Sequence, residues 1–153
     1  MRGTKPVLLV EDDSIDAMTV RRAFKDLKLT NRLVHRLNGE EALAYLHDPN
    51  NEEPCVILLD LNMPRMNGTE FLKVAKNDER LKTLPVIVLT TSNEERDVVE
   101  SFRLSVAGYI IKPVDYKKFV DAIRMIDIYW TLSELPDNDT GARDAQIETV
   151  VAG

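Results

Sequence analysis

The sequence has one cysteine and no long hydrophobic run, and each shortage excludes a class of protein. A lone cysteine, Cys55, cannot form an internal disulfide, which excludes the disulfide-stapled frameworks of small extracellular domains. The first apolar run, Val7–Val10, reaches only to Glu11 and is too short for the core of a signal peptide or for a membrane span. These absences predict a cytoplasmic protein without a membrane segment.

Positive charge is also scarce. The 153 residues contain 20 Lys and Arg against 26 Asp and Glu, which leaves a formal net charge of −6. An acidic surface repels DNA and anionic lipid, so neither nucleic acid nor a membrane is expected as a direct partner. Hydrophobic residues make up 44% of the chain, which is typical of a folded globular protein, and the length fits one domain.

Apolar runs alternate with amphipathic helical patterns along most of the chain. One helix separates each pair of strands, so the strands must run parallel with right-handed crossovers. The pattern predicts one doubly wound α/β domain with a five-stranded parallel sheet. Its predicted strands are 7–10, 32–37, 56–59, 85–89 and 109–111, and its predicted helices are 15–29, 40–47, 69–76, 94–104 and 116–132.

The end of the sequence differs in charge from the rest. Residues 133–153 hold five acidic residues and one basic residue, and therefore carry −4 of the net charge of −6. A helix-turn-helix or catalytic output domain needs far more chain than these 21 residues. We therefore expect a single domain at 5–132 followed by an acidic tail at 133–153, with no output domain.

Acidic residues follow the first and third predicted strands. Glu11, Asp12 and Asp13 come directly after the first strand, and Asp60 and Asn62 come after the third. The carboxyl ends of parallel strands meet at one edge of the sheet, so these side chains should lie close together. Their charges repel one another unless a cation neutralises them, and an oxygen-only ligand set suits Mg²⁺ or Mn²⁺. The sequence predicts a divalent metal site at this edge.

A hydroxyl and an amine follow the fourth and fifth strands, at Thr90 and Lys112. Lys112 would supply a positive charge and Thr90 a hydrogen-bond donor to a phosphoryl oxygen. Aspartate is a known phosphoryl acceptor, so Asp60 could attack in line while the metal and Lys112 offset the developing charge. The cluster predicts phosphorylation of Asp60.

In order and spacing, these residues resemble the receiver domains of two-component response regulators, with 30 residues from Asp60 to Thr90 and 22 from Thr90 to Lys112. The resemblance implies an α/β, doubly wound (βα)5, flavodoxin-like fold. It also implies that Asp60 is the phosphoacceptor, that Glu11 and Asp12 are the metal-binding acid pair, and that the backbone carbonyl of Asn62 is a further metal ligand. Lys112 matches the lysine that the family carries after its last strand. Thr90 matches the switch hydroxyl and Tyr109 the aromatic switch.

The same resemblance implies the partners. A phosphohistidine on a sensor histidine kinase or a histidine phosphotransfer protein would donate the phosphoryl group, and the surface near helix 4, strand 5 and helix 5 would change its binding. Slow self-hydrolysis would reset the protein, which is not expected to be an enzyme otherwise. Residues 129–136 are similar to the ending of stand-alone regulators that partner phytochrome-type sensor kinases.

The last predicted helix carries more large apolar residues than one narrow core-facing stripe requires. Aromatic residues that face outward are enriched in protein interfaces, which favours a symmetric homodimer through helix 4, strand 5 and helix 5. In the alternative, Trp130 folds back and covers the core. The residues in question are Tyr116, Phe119, Ile123, Ile126, Tyr129 and Trp130.

Two other functions remain open at this stage. An aspartate-based phosphohydrolase would need a second acid where Asn62 stands. Flavodoxins and dinucleotide oxidoreductases share this type of sheet, but neither a P-loop nor a Gly-x-Gly-x-x-Gly motif occurs in the sequence. A phosphorylation-independent receiver-like binding module would be expected to have lost part of the acid cluster, Thr90 or Lys112, whereas all are present.

Asp13 is better explained as the N-cap of the first helix.

Overall fold

The fold is a five-stranded parallel sheet with helices on both faces, which confirms the predicted architecture. The computed structural model describes residues 5–63, 65–90, 93–101, 103–111 and 115–133, and it describes only the backbone at 93–95, 101 and 129–133. Within these ranges, no helix combines the length and the hydrophobicity that crossing a bilayer requires. The elements are β1 (Val7–Val10), α1 (Ser14–Asp26), β2 (Leu33–Arg36), α2 (Gly39–His47), β3 (Val56–Asp60), α3 (Gly68–Lys76), β4 (Val86–Thr90), α4 (Asn93–Ser101), β5 (Gly108–Ile111) and α5 (Tyr116–Ser133).

The strand order β2-β1-β3-β4-β5 determines where a ligand can bind. The chain moves from β1 to one side to form β2 and then crosses to the other side to form β3. The crevice at the carboxyl ends of β1 and β3 is therefore the topological switch point, where open α/β sheets bind their ligands. Val10 pairs in register with Leu59, so Glu11 and Asp60 lie side by side at the carboxyl ends of β1 and β3.

Two hydrophobic cores cover the two faces of the sheet. Along β1, Leu8 and Val10 belong to the core formed with α2, α3 and α4, whereas Val7 and Leu9 belong to the core formed with α1 and α5. A strand that is covered on both faces needs apolar residues at every position. This explains why β1, β3 and β4 are short and almost entirely apolar runs, whereas the edge strand β2, which is only partly buried, contains polar residues.

Two helices end earlier than the apolar spacing predicts. The first was predicted to reach Leu29 and the fourth Leu104, but α1 ends at Asp26 and α4 at Ser101. Left-handed residues follow, Lys28 with φ 56° and Arg103 with φ 54°, and they turn the chain out of the helix. Leu29 and Leu104 still pack against the two cores from the connecting segments, so the apolar spacing continues after the helix has ended.

Candidate metal and phosphoacceptor site

Three carboxylates meet at the switch point, and we call Glu11, Asp12 and Asp60 the acid trio. Each offers one oxygen, and these oxygens all lie within 4.8 Å of one another. Glu11 is fully buried and Asp60 is 4% exposed, whereas Asp12 is exposed. Like charges this close repel one another, and hard oxygen ligands suit Mg²⁺ or Mn²⁺. The donor set therefore fits a divalent cation, with the Asp12 side open to solvent.

Backbone hydrogen bonds fix Glu11 where β1 ends. Its N–H donates to the carbonyl of Arg36 at 3.0 Å, which extends the ladder with β2 by one residue. Its own carbonyl lies 2.6 Å from Nε2 of His35, and since a carbonyl can only accept, the imidazole is the donor. The His35 side chain therefore holds the backbone of Glu11.

Asp13 caps the first helix, as the sequence predicts. One oxygen of its carboxylate accepts the N–H groups of Ile15 at 2.8 Å and Asp16 at 3.0 Å. These are two of the backbone donors that have no partner within a helix. Its N–H donates to Oε2 of Glu11 at 3.3 Å, so the cap lies directly beside the acid trio.

The start of α3 packs against the backbone of Asp60. The N–H of Gly68 donates to the carbonyl of Leu61 at 3.1 Å, and a Cβ at position 68 would lie 2.5 Å from the carbonyl oxygen of Asp60. Only glycine permits so close an approach of two backbones. The N–H of Asn62 donates to Oδ1 of Asp60 at 3.2 Å and holds the carboxylate from the same loop. The contribution of Gly68 was not predicted from the sequence.

The loop after Asp60 is also attached to the start of α2. Arg65 and Met66 both have left-handed backbones, with φ 50° and 60°. The Met66 carbonyl accepts the N–H of Gly39 at 3.1 Å, and a Cβ at Gly39 would lie 2.7 Å from that oxygen. Non-glycine residues adopt this conformation at a cost, which is met only where surrounding contacts impose it. The loop is therefore held at both ends, at α2 and at α3.

Thr90 and Tyr109 lie on the same face of the sheet, below α4. Thr90 is fully buried at the end of β4, two residues after Val88, so the two side chains share a face. Val88 pairs with Tyr109 on β5, and both belong to the core beneath α4. The structure brings these two predicted switch residues together, whereas Lys112 lies outside the described residues.

Arg96 of α4 lies over the ring of Tyr109 and pairs with Glu100 on the same helix. We call this pair of α4 residues the α4 clamp. The guanidinium carbon of Arg96 lies 4.8 Å from the ring centroid, and its Nε donates to Glu100 at 2.9 Å. Burial, followed by the charge of Glu100, raises the pKa of Tyr109 to about 12, while the charge of Arg96 acts in the opposite direction. The phenol is therefore neutral at physiological pH.

Comparisons with known proteins agree with this geometry. Residues 7–124 match the model of the response regulator receiver domain. The probable methanogenesis regulatory protein FilR2 of Methanothrix harundinacea is 38% identical, over 81% of this chain and 82% of its own. The response regulator Rcp1 of Synechocystis sp. is 36% identical, over 82% of this chain and 88% of its own.

Two solved structures of such regulators superpose on the fold. The phosphorylated cyanobacterial phytochrome response regulator RcpA is 34% identical with a TM-score of 0.74, and the match covers 84% of this chain and 95% of RcpA. The Mn²⁺-bound form of Rcp1 is also 34% identical with a TM-score of 0.72, and the match covers 88% of this chain and 97% of that one. One of these similar proteins thus carries a phosphoryl group, and the other carries a divalent metal.

Proposed function

Because the chain belongs to the response regulator receiver domain family, we propose that residues 5–132 form a receiver domain in which Asp60 accepts a phosphoryl group. The observation that carries this role is the position of Asp60 in the sheet. Its strand β3 lies between β1, which ends at the acid pair, and β4, which ends at Thr90. Asp60 is thus the carboxylate that borders both the metal-binding acids and the switch hydroxyl.

The acid trio and the backbone carbonyl of Asn62 would hold the divalent metal. A bound Mg²⁺ or Mn²⁺ neutralises charge on the trio and on a transferring phosphoryl group. Glu11 is held at its N–H and at its carbonyl, and its Oε2 accepts the N–H of Asp13, so both its backbone and its carboxylate are positioned without a ligand. The exposed side chain of Asp12 faces solvent, from which the phosphoryl donor must approach.

The transfer itself requires few groups from the protein. A carboxylate oxygen of Asp60 attacks the phosphorus of a phosphohistidine, the P–N bond breaks, and the imidazole leaves with the electron pair. Lys112 offsets the charge on the phosphoryl oxygens. Water later attacks the acyl phosphate and releases inorganic phosphate, which restores the Asp60 carboxylate.

Thr90 and Tyr109 transmit the change. The Thr90 hydroxyl donates to a phosphoryl oxygen on Asp60, so it turns toward β3 and away from β5. The space that it leaves lies on the sheet face that also carries the Tyr109 ring. A buried Tyr109 ring is therefore compatible with an engaged Thr90, and the surface of α4, β5 and α5 differs between the two states.

The phosphoryl donor is a sensor histidine kinase or a histidine phosphotransfer protein. Its phosphohistidine must reach Asp60, so its body must cover the residues that surround the acid trio. Exposed apolar side chains lie on that edge: Ile15 is 72% and Met18 65% exposed on the first turns of α1, and Leu37 follows the end of β2. Apolar groups beside a charged site are typical of a docking surface.

Removal of the divalent metal tests the phosphoacceptor role. With Mg²⁺ or Mn²⁺, acetyl phosphate should phosphorylate the protein, as measured by intact-protein mass spectrometry. Chelation by EDTA should reduce labelling at least tenfold, because the anion would then approach the unneutralised acid trio. Ca²⁺ at the same ionic strength, an ion of equal charge that prefers longer oxygen distances than Mg²⁺, is the control for general screening of charge. Full labelling in EDTA would contradict the proposed function.

A second copy of the chain is proposed to bind at α4, β5 and α5. β5 is an edge strand of the sheet, and on α5 Met125 is 56% and Ile128 51% exposed. Of the apolar residues that suggested this interface, Phe119, Ile123 and Ile126 are buried in the core. The side chains of Tyr129 and Trp130 lie outside the described residues.

Sedimentation velocity tests the homodimer. At micromolar concentrations we expect a dimer whose dissociation constant rises about tenfold or more in the Met125→Ser, Ile128→Ser variant, because two apolar side chains that the dimer would bury are lost. Val74→Ser is the matched control, since Val74 is an exposed apolar residue on α3. A strictly monomeric protein, with and without beryllofluoride, would exclude this dimer.

A further inference from the structure

Among the side chains of α4 that the structure describes, Val99 and Arg96 are the least exposed and pack toward the sheet. Of these described side chains, 96–100, only Val99 is buried. Arg96 is the next least exposed, with 21% of its side chain accessible, and its guanidinium lies over the ring of Tyr109 at 4.8 Å. The contact between Arg96 and Tyr109 is thus a principal link between α4 and β5.

The structure contains the same arrangement a second time. On α1, Arg22 lies 4.0 Å from the ring centroid of Tyr116 and pairs with Asp26 four residues later, as Arg96 pairs with Glu100. The hydroxyl of Tyr116 donates to the carboxylate of Asp26. This second clamp joins α1 to α5 on the opposite face of the sheet from Tyr109. It offers an internal control with the same residue types.

We infer that Arg96 is a positioning residue that holds the ring of Tyr109 in its buried position and thereby favours the phosphorylated state of Asp60. The inference rests on the proposed function. A cation over an aromatic ring attracts its negative face, and the attraction grows as the pair loses contact with water. Glu100 fixes the guanidinium over the ring by the hydrogen bond at 2.9 Å.

The shared sheet face of Thr90 and Tyr109 explains why a buried ring would favour the phosphorylated state and not the unphosphorylated one. A Thr90 side chain that turns toward Asp60 leaves a space that costs free energy unless another group fills it, and the buried Tyr109 ring lies on the same face. A contact that stabilises the buried ring therefore favours an engaged Thr90. By thermodynamic linkage, if the α4 clamp stabilises the state in which Thr90 is engaged, it also strengthens the binding of a phosphoryl group or its mimic at Asp60 by the same free energy.

The dissociation constant of beryllofluoride, measured in Mg²⁺ by isothermal titration calorimetry, tests the inference. Arg96→Gln should weaken binding about two- to tenfold, the range that corresponds to a partly desolvated cation over a ring. Arg96→Lys, which keeps the positive charge, should restore part of the affinity. Arg22→Gln removes the equivalent arginine on α1 and should leave the affinity unchanged.

A double-mutant cycle separates this role from general destabilisation. In a Tyr109→Leu background the ring is absent, so Arg96→Gln should no longer change the affinity. An equal loss in both backgrounds, or no loss in the wild-type background, would overturn the inference. If Arg96→Gln does not fold, as judged by circular dichroism, Glu100→Gln replaces it in the cycle and should show the same dependence on Tyr109.

The outcomes also distinguish this inference from the proposed function. Beryllofluoride that fails to bind the wild-type protein, or that binds Asp60→Asn equally well, would contradict the phosphoacceptor role itself. Wild-type binding that depends on Asp60 but not on Arg96 would retain that role and reject the clamp.

Discussion

Asp60→Asn is expected to abolish phosphorylation by acetyl phosphate, the largest single effect among these predictions. The amide is nearly the same size as the carboxylate but lacks the nucleophilic oxygen that forms the acyl phosphate. The substitution also removes one negative charge from the acid trio, so the protein should remain folded. Intact-protein mass spectrometry in Mg²⁺ should detect no phosphorylated species, while circular dichroism shows an unchanged fold.

Asp13→Asn is the matched control. Asp13 lies beside the trio, and asparagine is as good an N-cap as aspartate, so α1 should keep its start. This variant should be labelled to the wild-type extent. Stoichiometric phosphate on Asp60→Asn would show that another residue is the phosphoacceptor. A wild-type protein that is not labelled in Mg²⁺ would favour the alternative of a phosphorylation-independent binding module.

The inner strands could be predicted because β1, β3 and β4 are covered on both faces and are therefore almost entirely apolar. The first strand was predicted at Val7–Val10, as observed, and the acid trio was predicted from the rule that parallel strands end at one edge. The sheet order then places Glu11 beside Asp60. Strand-end residues were predictable because their position depends only on the topology.

Contacts between distant backbones could not be predicted in the same way. The need for glycine at position 68 arises only when α3 packs on the carbonyl of Asp60, and nothing in the local sequence indicates that approach. Arg96 and Glu100 have the spacing of a helical ion pair, which is visible in the sequence. That the pair lies over Tyr109 depends on how α4 crosses the sheet, and periodicity does not specify this.

Replacement of Ile15 and Met18 by serine is expected to slow phosphotransfer from the partner kinase without affecting labelling by acetyl phosphate. Both side chains project from the first turns of α1 beside the acid trio, and both are mostly exposed, so their removal leaves the core intact. A protein donor that covers the trio must bury them, whereas acetyl phosphate is too small to contact them. The loss of two apolar contacts corresponds to a decrease in kcat/KM of about ten- to hundredfold.

The measurement compares two phosphoryl donors on the same variants. The kinase that phosphorylates the wild-type protein fastest in a panel of autophosphorylated sensor kinases serves as the protein donor. Val74→Ser is the control, because it also removes an exposed apolar side chain. Val74 lies on α3, six residues beyond Gly68, the end of the helix that packs on Asp60. If each donor phosphorylates the double variant as fast as it phosphorylates the wild-type protein, the kinase docks elsewhere. A parallel loss with both donors would show instead that Ile15 and Met18 act on the site itself, since acetyl phosphate makes no contact that a docking surface could supply.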